Sequence, residues 1–313
     1  MTFEETIASS RVVLTEGGMV ERIRRDPEVQ LDPFIAHSGL VYEETGRRVL
    51  GRIYREYIDV AHRYQLPMMS YAPTWRANPE NLKKSFFCNC KDITMDCVDF
   101  LKEIRACYGE YSPSIFIGGL MACKGNAYCP EEALSKEEAV VFHREQAEAL
   151  ARSKVDFIKA ATLPAVSEAY GIAKAIASQG IPYILSFVVR PDGCVLDGTP
   201  IYSAIEWIDS EIHPKPIFYM LNCVHPKIFD QAVSQESNMS KQVTRRILGF
   251  QANTSSKSPK ELDNLSYLDT LPPEEFGGMM IALHRKFAIK VLGGCCGTDA
   301  RHIIEIAKKL KNS

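Results

Sequence analysis

The chain has 313 residues, a formal net charge of −2, and a composition that is 46% hydrophobic and 24% charged. This composition is typical of a globular protein, and the near-neutral charge offers no electrostatic basis for binding nucleic acid or an anionic membrane. No apolar run approaches the roughly 18 residues of a membrane-spanning helix, and the first residues lack the basic and apolar segments of a secretory signal. We therefore predict a cytoplasmic protein that binds neither nucleic acid nor membranes.

Short apolar runs rich in β-branched residues recur along the chain and are typical of strands buried on both faces of a parallel sheet. The predicted strands are 11–16, 67–72, 114–120, 155–162, 182–189, 217–224, 246–252 and 288–294. Amphipathic stretches between them predict helices, one of which opens with Ser135 and Glu138 at capping-box spacing. The clearest predicted helices are 45–64, 92–107, 135–151 and 299–311.

The alternation of these strands and helices predicts a (β/α)8 TIM barrel, formed by a single domain over residues 1–313. A doubly wound sheet is the alternative, but no G-x-G-x-x-G motif follows the first predicted strand. The stretch 253–275 between the last two strands is predicted to be a loop. A loop of this length indicates a site rim or an oligomer contact, and a simple solvated connection is equally compatible with its composition.

Cysteines fall at two predicted strand ends, with Cys223 after the sixth strand and Cys295 and Cys296 after the eighth. In a barrel the carboxyl ends of the strands build the active site, and alternate strands contribute to the same layer of side chains. We therefore expect the three thiols to face one another across the barrel mouth. Three thiolates suit Zn²⁺ in tetrahedral geometry and leave a fourth position open for a substrate, as in catalytic zinc sites.

The residues before the cysteine pair, Gly293 and Gly294, are predicted to let the backbone bend so that both thiols reach one ion. Packing alone is one alternative for the pair, and a redox role is another, although the chain has no C-x-x-C motif. The other seven cysteines have no metal-ligand spacing and are interpreted as structural. His225 is predicted to open the helix that follows Cys223 rather than to bind metal.

Other residues at or after predicted strand ends are candidates for substrate binding. Tyr71 and Trp75 could attract a sulfonium or quaternary ammonium donor through their rings, although packing is the alternative for Trp75. Arg76 and Arg190 could bind a carboxylate in bidentate fashion, or could simply be solvated. The candidate set comprises Glu16, Gly17, Tyr71, Trp75, Ser186 and Asn222.

Four segments together resemble the homocysteine S-methyltransferase family, and the resemblance covers nearly the whole chain. They are LTEGGM at 14–19, LSFVVRPDGCVLDGTP at 185–200, YMLNCVHP around Cys223 and GGCCGT around Cys295 and Cys296. The resemblance implies a barrel that binds Zn²⁺ through Cys223, Cys295 and Cys296, with an acceptor thiol in the open position. It implies methyl transfer from a small methylated donor to homocysteine or a related thiol, giving a thioether such as methionine. A homo-oligomer is compatible with the resemblance.

The chain departs from the family pattern in the fourth strand, where Ala161 stands in place of a glutamate that binds the amino group of homocysteine, while Thr162 and Pro164 are kept. Glu16 also replaces an aspartate of the first strand. These differences leave open an acceptor without an α-amine, or a demethylase that acts on another metabolite. A metal-holding or redox-sensing barrel without catalytic activity is a third hypothesis.

Overall fold

The computed structural model describes residues 1–257 and 269–311, with residues 241 and 242 described through their backbone alone. Its strands form a closed parallel barrel in chain order, from β1 to β8. Each predicted strand is present, and the predicted (β/α)8 barrel is confirmed. The strands are β1 (Val13–Thr15), β2 (Met68–Tyr71), β3 (Ile115–Met121), β4 (Phe157–Leu163), β5 (Tyr183–Phe187), β6 (Phe218–Asn222), β7 (Ile247–Ala252) and β8 (Val291–Gly294).

Helices of the described residues connect these strands on the outside of the barrel. They are α1 (Phe3–Ser9), α2 (Val20–Arg24), α3 (Glu44–Tyr64), α4 (Pro79–Lys84), α5 (Ile93–Ala106), α6 (Lys136–Arg152), α7 (Val166–Ala177), α8 (Ile201–Glu211), α9 (Pro226–Val233), α10 (Lys241–Arg246), α11 (Pro273–Phe287) and α12 (Ala300–Lys311). Short 3-10 turns lie at Ser38–Tyr42, Gly109–Ser114, Pro130–Glu132 and Glu236–Asn238.

The four predicted helices are confirmed to within a residue or two at each end. Ser135 caps α6 by accepting a bond from the Glu138 backbone, and the Glu138 carboxylate accepts one from the Ser135 backbone in return. The predicted bounds of the loop 253–275 are wrong at the carboxyl end, because α11 already begins at Pro273. Its central part, residues 258–268, lies outside the described residues.

Helix α1, which the sequence analysis did not predict, closes the amino-terminal end of the barrel. The Phe3 ring stacks on Phe157 at the start of β4, with centroids 4.3 Å apart. The backbone carbonyls of Ile7 and Ala8 accept bonds of 3.2 and 3.1 Å from the ammonium of Lys290, which directly precedes β8. Because apolar side chains fill this end, a substrate cavity can form only at the opposite end.

The outer helices pack against the strands through continuous apolar faces. In α12 the predicted face of Ile303, Ile306, Ala307 and Leu310 is buried. Among residues 1–257 and 269–311, no helix is long and apolar enough to cross a lipid bilayer.

Candidate active site

A cavity of about 960 Å³ opens at the carboxyl ends of the strands. Its volume is at the upper end of the range for small-molecule sites. Most of the predicted site residues line it, namely Glu16, Gly17, Tyr71, Trp75, Asn222, Cys223, Cys295 and Cys296. Ser186 is placed differently, since it is fully buried behind the wall and its hydroxyl donates to Asn222 Oδ1 at 2.6 Å.

The three predicted thiols meet at one side of this cavity. The Cys223 and Cys295 sulfurs are 2.7 Å apart, and Cys296 is in hydrogen-bonding contact with both. The backbone of Cys223 has a φ of +57°, a conformation that is uncommon outside glycine and often found at functional sites. The alternate-strand argument thus correctly brought β6 and β8 together at the barrel mouth.

Two asparagines hold the thiols in place. Asn222 donates from Nδ2 to Cys223 Sγ at 3.0 Å and to Thr162 Oγ1 at 2.8 Å, while its Oδ1 accepts from the Thr162 backbone at 3.0 Å. Asn253, just after β7, donates to the Cys223 carbonyl at 3.0 Å and accepts from the Cys296 backbone at 3.1 Å. Asn253 therefore links the two cysteine segments across the intervening strand. No role was predicted for Asn253 from the sequence.

The pKa values of the three thiols depend on one another, because the sulfurs are in hydrogen-bonding contact. The hydrogen bond from Cys295, together with one from Cys296, lowers the pKa of Cys223 well below its ordinary value. The same bond to Cys223 raises the pKa of Cys295 and of Cys296. Cys223 is therefore the sulfur of the three that ionises most readily, and its ionisation opposes that of the other two because adjacent negative charges are unfavourable without a cation.

The donor set fits Zn²⁺ in its chemistry, since three soft sulfurs lie beside an open cavity and one ionises easily. The sulfurs are not preassembled as a cage, because among the described residues no group of three or more histidine, cysteine or acidic side chains has a metal-holding arrangement. Tetrahedral zinc with bonds of about 2.3 Å places its sulfur ligands about 3.8 Å apart. Metal binding would therefore require Cys223 and Cys295 to separate.

Gly293 and Gly294 have a different role from the predicted one. Neither has a left-handed φ, whereas Gly297, after the cysteine pair, has a φ of +82°. A Cβ at Gly293 would lie 2.4 Å from Thr15 Cγ2, and one at Gly294 would lie 2.2 Å from Thr298 Oγ1. The two glycines therefore permit close packing of β8 against its neighbours, and the turn itself falls at Gly297.

Asn222→Ala should weaken the binding of a metal ion by the three thiols about 10- to 100-fold, the usual effect of removing a group that orients a metal ligand. The substitution removes the donor to Cys223 Sγ and leaves the buried backbone amide of Thr162 without its acceptor. Zinc affinity from competition with a chelator would check this. Ser186→Ala is the matched control, because it removes only one bond to Asn222; an equal loss in both variants would contradict the assignment.

Glu16 and Lys159 are two of the buried ionisable groups that line the cavity, and only Glu16 was predicted. Glu16 Oε1 accepts from the Tyr71 backbone at 2.9 Å, and burial raises the pKa of its carboxyl to about 8. Lys159 on β4 is 1% exposed, and burial lowers the pKa of its ammonium to about 8. Its Nζ donates to Gln251 Oε1. The one sequence signal for Lys159 is a charge within the apolar run VDFIKAAT.

Glu16→Gln should remove a pH dependence of stability between pH 5 and 7.5. In the native protein the carboxyl stays protonated up to about pH 8, whereas in the unfolded chain it ionises near 4.5. The native state therefore binds more protons across this window, and raising the pH favours unfolding by about 2–3 kcal/mol. Urea denaturation at pH 5.0, 6.25 and 7.5 would show the wild-type stability falling relative to the variant. Parallel profiles would contradict the raised pKa.

Other predicted contacts have partners within the protein. The ring of Tyr71 faces the Lys159 ammonium at 4.8 Å from its centroid, so an internal cation already occupies that face. Arg76 donates to the carbonyls of Cys123 and Gly125, and Arg190 donates to a loop carbonyl. His225 caps α9 as predicted, because its Nδ1 accepts from the Lys227 backbone.

Tyr128 is a wall residue that the sequence analysis missed. It lies between β3 and α6, lines the cavity, and contacts Cys223. The negative charge of Cys223 raises the pKa of the Tyr128 hydroxyl, which therefore stays protonated and able to donate to that sulfur. No strand end or motif marks this residue, because it comes from a loop that folds over the mouth.

The fold and the site define a (β/α)8 barrel with a thiol cluster at the carboxyl ends of its strands. The profile of the family described as homocysteine S-methyltransferase matches residues 13–310. The chain belongs to this family of methyltransferases, and the resemblance drawn from the motifs is confirmed.

Relatives of known name agree with this assignment. Homocysteine S-methyltransferase YbgG of Bacillus subtilis (strain 168) is 24% identical over 190 residues, which are 60% of this chain and 58% of that protein. Betaine–homocysteine S-methyltransferase 1 of Bos taurus is 21% identical over 321 residues, covering 98% of this chain and 74% of that protein. The crystal structure of the homocysteine methyltransferase MmuM from Escherichia coli, in its metallated form, matches with a TM-score of 0.74. That match has 15% identity over 97% of this chain and 98% of that one, and it shows the shared fold.

Proposed function

We propose that this protein catalyses the zinc-dependent transfer of a methyl group from a small methylated donor to a thiol, with homocysteine or a related thiol as acceptor. The observation that carries the proposal is the meeting of Cys223, Cys295 and Cys296 at the wall of a cavity large enough for two small substrates. Membership of the homocysteine S-methyltransferase family supports it. The product would be a thioether such as methionine.

Cys223, Cys295 and Cys296 would hold the zinc. When bound, the metal supplies a positive charge that keeps an acceptor thiol deprotonated and nucleophilic at neutral pH. Asn222 and Asn253 fix the two cysteine segments relative to each other, so that the acceptor sulfur is held at one point of the wall. The acceptor thiolate attacks the methyl carbon of a cationic donor, and a sulfur–carbon bond forms while the bond from that carbon to the sulfonium sulfur or ammonium nitrogen breaks. The electron pair of the broken bond stays on the donor atom, which becomes neutral as the donor leaves.

Trp75 is the aromatic wall residue that we assign to the donor. Its side chain is partly exposed and lines the cavity. The Arg76 guanidinium lies over one face of the ring, 5.8 Å from the centroid, so a cationic donor would contact the opposite face. An indole face attracts a sulfonium or quaternary ammonium group, and it loses that attraction when the group becomes neutral. Trp75 would thus favour binding of the donor and release of the demethylated product.

A second candidate function is methyl transfer to a thiol other than homocysteine, or demethylation of another metabolite. Ala161 favours it, because this apolar side chain lines the cavity where the family resemblance implies a carboxylate for the amino group of homocysteine. The predicted homo-oligomer and the cytoplasmic location stay predictions.

Metal analysis and a donor–acceptor panel test the proposal together. Reductively purified protein is expected to contain about one zinc per chain, and adding an acceptor thiol should alter the zinc X-ray absorption spectrum. Transfer from S-methylmethionine and glycine betaine would be measured with homocysteine and other thiols. Protein that lacks zinc, or that binds zinc but shows no spectral change and no transfer with any pair, would contradict the proposal. The second of these results would instead favour a metal-holding barrel without catalytic activity.

A further inference from the structure

Lys159 is a buried cation on the wall of the substrate cavity that forms no ion pair with a carboxylate of the described residues. It lies on β4, and its ammonium contacts the Gln251 side chain and the ring of Tyr71. Within residues 1–257 and 269–311, no carboxylate oxygen lies within 4.0 Å of its nitrogen. A buried ammonium without a negative partner is unfavourable, so a cation that is left unpaired on a cavity wall points to an anionic ligand.

The negative charges that act on Lys159 are those of Cys295, Cys223 and Glu16, and none of these groups forms an ion pair or a hydrogen bond with its ammonium. Glu16 is the nearest acidic residue of the inner cavity, but one of its oxygens is bound to the Tyr71 backbone and its raised pKa keeps it largely protonated at neutral pH. Ala161 lies two residues after Lys159, on the same face of β4, and also lines the cavity. Its methyl group carries no charge. The part of the cavity wall that β4 forms therefore presents the Lys159 ammonium and no carboxylate.

We propose that the acceptor is a short thiol that carries a carboxylate and no neighbouring ammonium group, and that Lys159 determines this specificity by binding the carboxylate. The inference rests on the proposed thiol methylation. Lys159 and the three cysteines line the same cavity, so one small molecule can contact both. A carboxylate would form a charge-assisted hydrogen bond with the ammonium. An ammonium group on the acceptor would meet a like charge and find no carboxylate of β4 to bind it.

The test compares ligands that differ only in the amino group. The probes are methionine and 4-(methylthio)butanoate, titrated by calorimetry so that the result depends on neither the donor nor turnover. We expect the wild-type protein to bind 4-(methylthio)butanoate at least about tenfold more tightly than methionine, the size of one hydrogen bond to a charged group. Equal affinity, or a preference for methionine, would overturn the inference.

Two variants show whether Lys159 is the cause. Lys159→Met keeps the length of the side chain, and should abolish the preference by weakening binding of 4-(methylthio)butanoate about tenfold or more. Ala161→Glu should reverse the preference, because a carboxylate two residues along the strand would neutralise Lys159 and attract the amino group. Thermal unfolding checks that each variant is folded. An equal loss for both ligands in Lys159→Met would overturn the assignment and indicate that Lys159 acts on the charge of the thiols.

Rates of methyl transfer to two acceptor thiols distinguish a failure of this inference from a failure of the proposed function. The acceptors are 4-mercaptobutanoate and homocysteine, each with the donor that the panel identifies. Faster transfer to 4-mercaptobutanoate supports the inference, whereas faster transfer to homocysteine contradicts it and leaves the proposed methyl transfer standing. Absence of transfer to any thiol contradicts the proposed function itself.

Discussion

Replacing Cys223 with alanine should abolish both zinc binding and methyl transfer. The sulfur of Cys223 is the most acidic of the three, and it is the one that accepts bonds from Asn222, Cys295 and Cys296. Its loss would leave two thiols where the proposed site needs three thiolate ligands, and zinc held by two protein sulfurs would be lost readily. Zinc content should fall from about one per chain to below about 0.1, and transfer should fall to background. Metal analysis and a radiolabelled methyl-transfer assay would measure these two effects.

Cys107→Ala is the matched control for this substitution. Cys107 is exposed and lies beyond the end of α5. This variant should keep its zinc and its activity, which would show that loss of a cysteine as such has no effect.

Cys296→Ala should behave like Cys223→Ala, because both sulfurs belong to the cluster. Zinc content and activity that survive in Cys223→Ala would remove the basis for the proposed metal centre.

The barrel was predictable because its strands are buried on both faces and therefore appear as continuous apolar runs. Such runs mark strands without any knowledge of their partners, and the helices predicted between them favour a barrel of parallel strands in chain order. Helix α1 escaped prediction because it is short, and its buried residues Phe3 and Ile7 contact the start of strands that are distant in sequence. A plug of this kind is recognisable only after the barrel is closed.

The thiol cluster was predictable because cysteines follow two strands at their carboxyl ends, which is where a barrel of this kind has its active site. The groups that support it were not, because their partners are far apart along the chain. Lys159 and Gln251 are separated by 92 residues, and nothing near either residue signals the bond between them. Ser186 ends a strand like the other candidates, yet its hydroxyl turns toward Asn222 and away from the cavity. A position at the end of a strand identifies a residue as a candidate for the site. The hydrogen-bond partners of its side chain then determine what that residue does.

Gly293→Ala should lower the free energy of unfolding by about 3 kcal/mol, the upper part of the range for overpacking in a closed core. The added Cβ would lie 2.7 Å from the Glu16 carbonyl oxygen and 2.8 Å from that of Thr15. Both oxygens belong to the backbone of the chain that forms and follows β1, so neither can turn aside as a flexible side chain would. The barrel would have to separate β1 from β8 to make room. Urea denaturation at constant pH would measure the change.

Gly278→Ala in α11 is the matched control, because no atom of the described residues outside the backbone of α11 itself lies within 4 Å of the position that its Cβ would take. This substitution should stabilise the protein by about 0.5–1 kcal/mol, since alanine loses less conformational entropy than glycine in a helix. Equal effects of the two substitutions would contradict the close packing at Gly293. A folded Gly293→Ala variant should also bind zinc more weakly, because Gly293 lies two residues before Cys295 and a displaced β8 would move that thiol relative to Cys223.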